Sequence, residues 1–160
     1  MTNNKIRFYM DLAEHVARQA TCPRASVGAV IVRDDRVLSM GYNGSPRKIP
    51  HCRDAGCWIQ ERDGTKSCVR AVHAEANAVA NAAYMGMATR GGVVFATHYP
   101  CVQCLKLIIN AGIEEIYYAR DYDDKRARSL EVLTTVRFYR VPTVSPMRKV
   151  GEITTKERRS

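Results

Sequence analysis

Val93-Val-Phe-Ala-Thr-His-Tyr-Pro-Cys-Val-Gln-Cys-Leu-Lys-Leu-Ile-Ile-Asn-Ala-Gly112 changes its hydrophobic rhythm at the proline. Before Pro100, Val93-Val-Phe-Ala-Thr97 is a short, unbroken apolar run rich in β-formers, the pattern of a strand buried on both faces. After it, Cys101, Cys104, Leu105, Ile108 and Ile109 recur at helical spacing on one stripe. Pro100 opens this helix, a favoured place for proline, and Gly112 closes it in the usual C-terminal position. A buried strand feeding an amphipathic helix is the repeating unit of an α/β protein.

The flanking sequence extends that unit. Upstream, Ile6, Tyr9, Met10, Ala13, Val16, Ala17 and Ala20 form the apolar stripe of a first helix, which Pro23 forces to end near Thr21. Val27-Gly-Ala-Val-Ile-Val32 and Val37-Leu-Ser-Met40 read as an antiparallel hairpin closing on Asp34-Asp35. Val72 to Met85 reads as a second helix, with Ala76, Val79, Ala80 and Ala83 on one face. Downstream, Glu115-Ile-Tyr-Tyr-Ala119 is a strand, Lys125 to Thr134 a helix and Val136-Arg-Phe-Tyr-Arg-Val141 a last strand. The order is αββαβαβαβ. Strands joined through helices run parallel and the first pair is antiparallel, so the sheet is mixed and five-stranded, with helices on both faces.

Tyr42 to Ala71 breaks the pattern. It carries Gly44, Pro46, Pro50, Gly56 and Gly64, and four of its residues are His or Cys. An aperiodic stretch of this length inside a compact domain is often functional. The division expected is a domain over 1–142 with an insert at about 42–71, followed by a basic tail over 143–160. Between Arg137 and Ser160 there are seven Lys or Arg against two Glu.

The chain has 160 residues, 46% of them hydrophobic and 26% charged, which suits one soluble domain and needs no disulfides to hold a core. No run approaches the roughly 20 apolar residues of a membrane span, and the first residues lack the apolar stretch of a secretory signal. The cytosol, or that of a host cell, is the expected compartment. In that reducing setting the six cysteines point to metal or catalysis before disulfides. The net charge of +9 favours anionic partners, nucleotide or nucleic acid alike.

His73-Ala-Glu75 and Pro100-Cys-Val-Gln-Cys104 carry the chemistry. A catalytic zinc takes three protein ligands and keeps a position for water, and His73, Cys101 and Cys104 supply the three. Both cysteines sit in the first turn of one helix, where the dipole favours thiolate. His73 opens another helix. Glu75, two residues on, is left as an unligated carboxylate able to shuttle protons. H-x-E with P-C-x-x-C is the known signature of zinc-dependent nucleobase deaminases.

With these motifs the chain resembles the cytidine deaminase superfamily, and within it the deoxycytidylate (dCMP) deaminases. Ser26-Val-Gly-Ala29, Gly41-Tyr-Asn-Gly-Ser-Pro46, Cys68-Val-Arg-Ala-Val-His-Ala-Glu75 and Ala96-Thr-His-Tyr-Pro-Cys101 carry the resemblance, which runs from about Ile6 to Val141. It implies a three-layer α-β-α fold. It also implies hydrolysis of dCMP to dUMP and ammonia, a supply step for thymidylate synthesis. A homohexamer is implied, activated by dCTP, whose triphosphate would carry Mg²⁺, and inhibited by dTTP. Gly41, Tyr42, Asn43 and Gly44 look like the effector-binding segment, and Asn43 looks like a contact to the substrate sugar. Arg24, Ser26 and Tyr122 could face the monophosphate, and Ala29, Ala74 and His98 are further candidate pocket residues. His98 fits a packing role equally. Cys22, Cys52, Cys57 and Cys68 are candidates for a second, structural zinc, with His51 or His15 able to replace one of them.

Two other readings use the same motifs. A tRNA adenosine deaminase shares HAE and PCxxC and would explain the basic charge, but not GYNGSP or the long insert. A non-catalytic zinc module binding nucleic acid through Arg148 to Arg159 has no use for an intact Glu75. Nucleic acid is therefore not the expected partner.

Overall fold

The computed structural model describes residues 1–62 and 64–142; the basic tail over 143–160 lies outside the described residues. Five helices and seven strands follow one another: α1 (Asn3–Ala17), β1 (Gly28–Arg33), β2 (Arg36–Tyr42), α2 (Cys52–Ala55), β3 (Ile59–Arg62), β4 (Thr65–Cys68), α3 (Ala74–Tyr84), β5 (Val93–His98), α4 (Val102–Asn110), β6 (Glu115–Arg120), α5 (Lys125–Glu131) and β7 (Arg137–Arg140). The main sheet has the order β2-β1-β5-β6-β7, and β3 and β4 pair separately. β1 runs antiparallel to both β2 and β5, while β5, β6 and β7 are parallel. This is the expected mixed five-stranded α/β sheet.

Two cores explain the apolar runs. Tyr9, Met10 and Ala13 of α1 pack on Val30, Val32, Phe95, Tyr117 and Ala119. The alternate residues, Ala29, Ile31, Val94, Ala96, Ile116 and Tyr118, face Ala74 and Ala78 of α3, Leu105 and Ile108 of α4, and Ala127 of α5. One helix thus covers one face and three cover the other, so the central strands have no polar side. Phe95, Tyr117 and Tyr139 stand in register across three strands and stack at 4.9 and 4.7 Å. Such pairs add about 0.5–1.5 kcal/mol each beyond area burial.

The hairpin closes as its sequence requires: Asp34 and Asp35 both have positive φ, 51° and 59°, the conformation of the turn that matches strand twist. Two close approaches set the layers. A Cβ on Gly28 would strike Ala13 O and Ala17 N, and one on Gly41 would strike Ala74 O and Ala78 N. At the β2 edge, Asn77 and Asn81 of α3 donate 2.8 Å hydrogen bonds to the carbonyls of Tyr42 and Met40.

Several boundaries move. α1 ends at Ala17 and unwinds through Gln19 and Ala20, short of Thr21. Val72 is not helical; it pairs with Gly44 in an isolated bridge, so α3 begins at Ala74. Pro100 lies before α4, not in it, because Cys101 is the N-cap. α5 stops at Glu131 and β7 spans only Arg137–Arg140. The insert is not structureless. It holds the short α2 and a hairpin whose turn includes Gly64 at φ 76°. Among the described residues, no helix is long and apolar enough to cross a membrane.

Candidate active site

His73 caps the N-terminus of α3 and Cys101 that of α4, and both helices open beyond the C-terminal end of β5. In an open α/β sheet this is where ligands bind. His73 Nδ1 lies 3.3 Å from Cys101 Sγ and 3.5 Å from Cys104 Sγ, and the three candidate ligand atoms fall within 4.8 Å of one another. Cys101 is extended, at φ −67° and ψ 164°, while Cys104 is in the first turn, so the two thiols converge although only one is helical.

The donor set fits a zinc ion. Contact with the Cys104 thiol, aided by the His73 ring and opposed by burial, pulls Cys101 down to about 4, and the same contact pushes Cys104 up. Two sulfurs and an imidazole sharing protons this closely are arranged for a cation that would displace those protons. Glu75 belongs to no such ligand set. It is 5% exposed and its carboxylate reaches the Cys104 thiol and its own backbone N–H. Burial pushes its pKa up and the Cys101 charge adds to this, which suits a carboxyl that must take and return a proton.

A cavity of about 490 Å³ joins these groups, a volume suited to a nucleotide-sized ligand. His73, Ala74, Glu75 and Cys101 line it, Ala74 and Glu75 buried and His73 exposed, and Arg24, Lys66 and Tyr122 are exposed at its rim. Asn43 and His98 also line it. Asn43 is buried and tied at both ends: Oδ1 accepts from Val27 N and Nδ2 donates to Ala25 O, each at 2.8 Å. His98 Nδ1 meets Thr97 Oγ1 at 2.9 Å, and burial and the Arg120 charge hold the ring below the usual imidazole pKa.

Other expected residues lie elsewhere. Ala29 has no exposure; it sits in the core between Gly41 and Ala96 and lines no part of the cavity. Ser26 is exposed but also outside the lining. Gly41 is pressed beneath α3, Tyr42 is exposed on the β2 edge and Gly44 pairs with Val72; none of the three lines the cavity. Lys66 escaped the sequence reading. Nothing in the insert's sequence shows that its hairpin folds over the site, where Lys66 O accepts from Arg24 Nη2 at 2.8 Å.

Cys52, Cys57 and Cys68 form a second cluster within 4.8 Å, with Cys52 and Cys68 sulfurs 3.9 Å apart. Burial raises Cys68, but the backbone N–H groups of Ala71, Arg70 and Trp58 outweigh it and bring the thiol down to about 7. Cys22 is not in this set; it is buried and lines the main cavity instead. His15 and His51 are absent from it too, His15 being turned to Asp11 O on α1.

The family model for the cytidine and deoxycytidylate deaminase zinc-binding region matches residues 3–120. The chain belongs to that family. Among its curated relatives this deaminase-family chain is 46% identical over 116 residues to ComE operon protein 2 of Bacillus subtilis (72% of the chain, 59% of that protein). It is 34% identical over 119 residues to the deoxycytidylate deaminase of Saccharomyces cerevisiae (72% of the chain, 37% of that protein). The chain thus spans about three fifths and under two fifths of these two. It spans 93% of the deoxycytidylate deaminase of Mycobacterium phage D29, at 35% identity over 122 residues (71% of the chain). The dCMP deaminase of cyanophage S-TIM5, solved in complex with dCMP and dUMP, has a TM-score of 0.75 and 28% identity, covering 88% of this chain and 99% of that one.

Proposed function

We propose that the chain hydrolyses dCMP to dUMP and ammonia, a reaction that supplies dUMP for thymidylate synthesis. The observation that carries this is a buried Glu75 beside, but outside, the His73, Cys101 and Cys104 set, in one cavity whose rim bears Arg24 and Lys66. The cyanophage enzyme's complex with dCMP and dUMP supports the choice of substrate. His73, Cys101 and Cys104 would hold the zinc ion, which when bound supplies activation of water near neutral pH. Glu75 takes a proton from the attacking water and delivers it to ring nitrogen N3 as the water oxygen bonds to C4. It then takes the proton of the new C4 hydroxyl and gives it to the amino group, so that C4=O forms as the C4–N bond breaks and ammonia leaves. Ala74 and Asn43 border the pyrimidine and sugar, and Arg24 and Tyr122, with Lys66, meet the 5′-phosphate.

The purified protein with dCMP, dCTP, cytidine and an adenosine-bearing tRNA, each with and without added dCTP, tests this by ammonia release. Release from dCMP is expected. Release from tRNA alone would move the chain to the tRNA adenosine deaminases, and release from none to a non-catalytic module.

The reading extends to regulation and assembly. Resemblance at Gly41 to Gly44 supports dCTP with Mg²⁺ as activator, dTTP as inhibitor and a homohexamer. Tyr42 is the exposed side chain of that segment. A dCMP saturation curve indifferent to both triphosphates would reject the regulation. Cys52, Cys57 and Cys68 offer three of the four ligands a closed structural zinc site takes. Two zinc ions per chain are expected on metal analysis, and one would remove that site.

A further inference from the structure

Asp124 stands between two helices and uses both carboxylate oxygens. Oδ1 accepts from the backbone N–H of Arg126 and of Ala127, each at 3.0 Å, capping α5. Oδ2 accepts from the backbone N–H of Val102 at 2.9 Å, across 22 residues of chain. Val102 is the first residue of α4, and its amide belongs to the peptide that leaves Cys101. The loop before Asp124 carries Tyr122, which lines the cavity. That loop is fixed at its other end by Asp121, paired with Arg128 at 3.0 Å and Arg140 at 2.9 Å. Within it, Asp124 N donates to Tyr122 O at 3.1 Å.

We infer that Asp124 is a positioning residue that holds Cys101 and Tyr122 in fixed relation, making one rigid unit of a metal ligand and a cavity-lining side chain. The argument is geometric. A capping residue such as Cys101 has non-helical φ and ψ and joins the helix ladder only through its carbonyl, which accepts from Leu105 N at 2.9 Å. Its thiol direction therefore also depends on how the following peptide is held, and Asp124 grips that peptide's N–H. Few side chains can do this. Asparagine offers one oxygen, so either Val102 N–H or the α5 amides would face an NH₂ group. Serine is short: it can cap α5 but cannot also reach Val102. Groups behind metal ligands commonly matter by 10–100-fold in metal affinity or activity.

The inference rests on the deaminase reading only for its kinetic half, so its test includes a measurement that needs no substrate. Asp124→Asn and Asp124→Ser are loaded with Co²⁺, and two things are recorded: the thiolate-to-cobalt absorption band, and the rate at which a chelator removes the metal. The expected result is a shifted band and release faster by on the order of tenfold or more. If Asp124→Asn does not fold, Asp124→Ser, which keeps the α5 cap, decides. With dCMP, kcat should fall and KM rise together, since Cys101 and Tyr122 both move. An unchanged band and release rate, with loss confined to thermal stability, would reduce Asp124 to a helix cap and overturn the inference. Faster metal release with no deaminase activity in the parent would leave the positioning role standing and remove the dCMP reading alone.

Discussion

The chain builds two thiol clusters by different means. His73, Cys101 and Cys104 hang on the ends of α3 and α4, whose bodies are packed against the central sheet, and Cys104 and its neighbour Leu105 are within the core. Cys52, Cys57 and Cys68 hang on a four-residue helix and a hairpin of two four-residue strands, with Trp58, Ile59 and Val69 exposed around them. The first cluster therefore inherits its geometry from the fold. The second has so little core of its own that its geometry depends on local bonds. Arg70 is the chief of these, donating to the carbonyls of Pro50, Ala55 and Gly56 while lying over the Trp58 ring. A preformed site can place a buried acid beside the ligands, as the first cluster does with Glu75.

Glu75→Gln is the sharpest way to break this contrast. It should lower kcat by about 10²–10⁴ while leaving the zinc content of the purified protein unchanged. Loss of metal would make Glu75 a ligand and erase the distinction. Gly41→Ala comes next. Its Cβ would push α3 off β2 and carry His73 and Glu75 with it, costing about 1–3 kcal/mol in a urea titration. The second cluster should be indifferent to that change. Arg24→Ala should raise the KM for dCMP about tenfold with kcat held, the loss expected of one charge-assisted contact. An unchanged KM would take the phosphate away from this rim. The smallest effect on chemistry should come from Cys68→Ser. Trypsin cleavage within 50–70 should quicken, while the metal of the first cluster and kcat are retained.

The same contrast explains what was legible in the sequence. His73, Glu75, Cys101 and Cys104 could be paired because each motif opens a helix. The stripe of α4 was plain, but α3 buries Ala74, Ala78 and Ala82 and leaves the expected Ala80 and Ala83 exposed, since an alanine-rich helix has no clear apolar face. β1, β5 and β6 were legible because Val, Ile, Phe and Tyr run unbroken where both faces are covered, and the edge strands β2 and β7 by their shorter apolar runs between polar residues. In the insert, Ile59-Gln-Glu-Arg62 and Thr65-Lys-Ser-Cys68 have no apolar alternation, so neither strand announced itself and Lys66 could not be placed over the site. The resemblance grouped Cys22 with Cys52, Cys57 and Cys68, but it lies outside that cluster and lines the main cavity. Ala29 lies in the core on the α3 and α4 face of β1, and because its neighbours in β1 are buried too, alternation along the strand does not set it apart.

The β2 margin has a further consequence. Its outward carbonyls at Met40 and Tyr42 are already occupied by Asn81 and Asn77 of the same chain. A strand arriving there from another molecule would find two of its acceptors spoken for, so the sheet is finished on that side. Molecules that gather along this flank must meet through side chains, each keeping its own ladder closed.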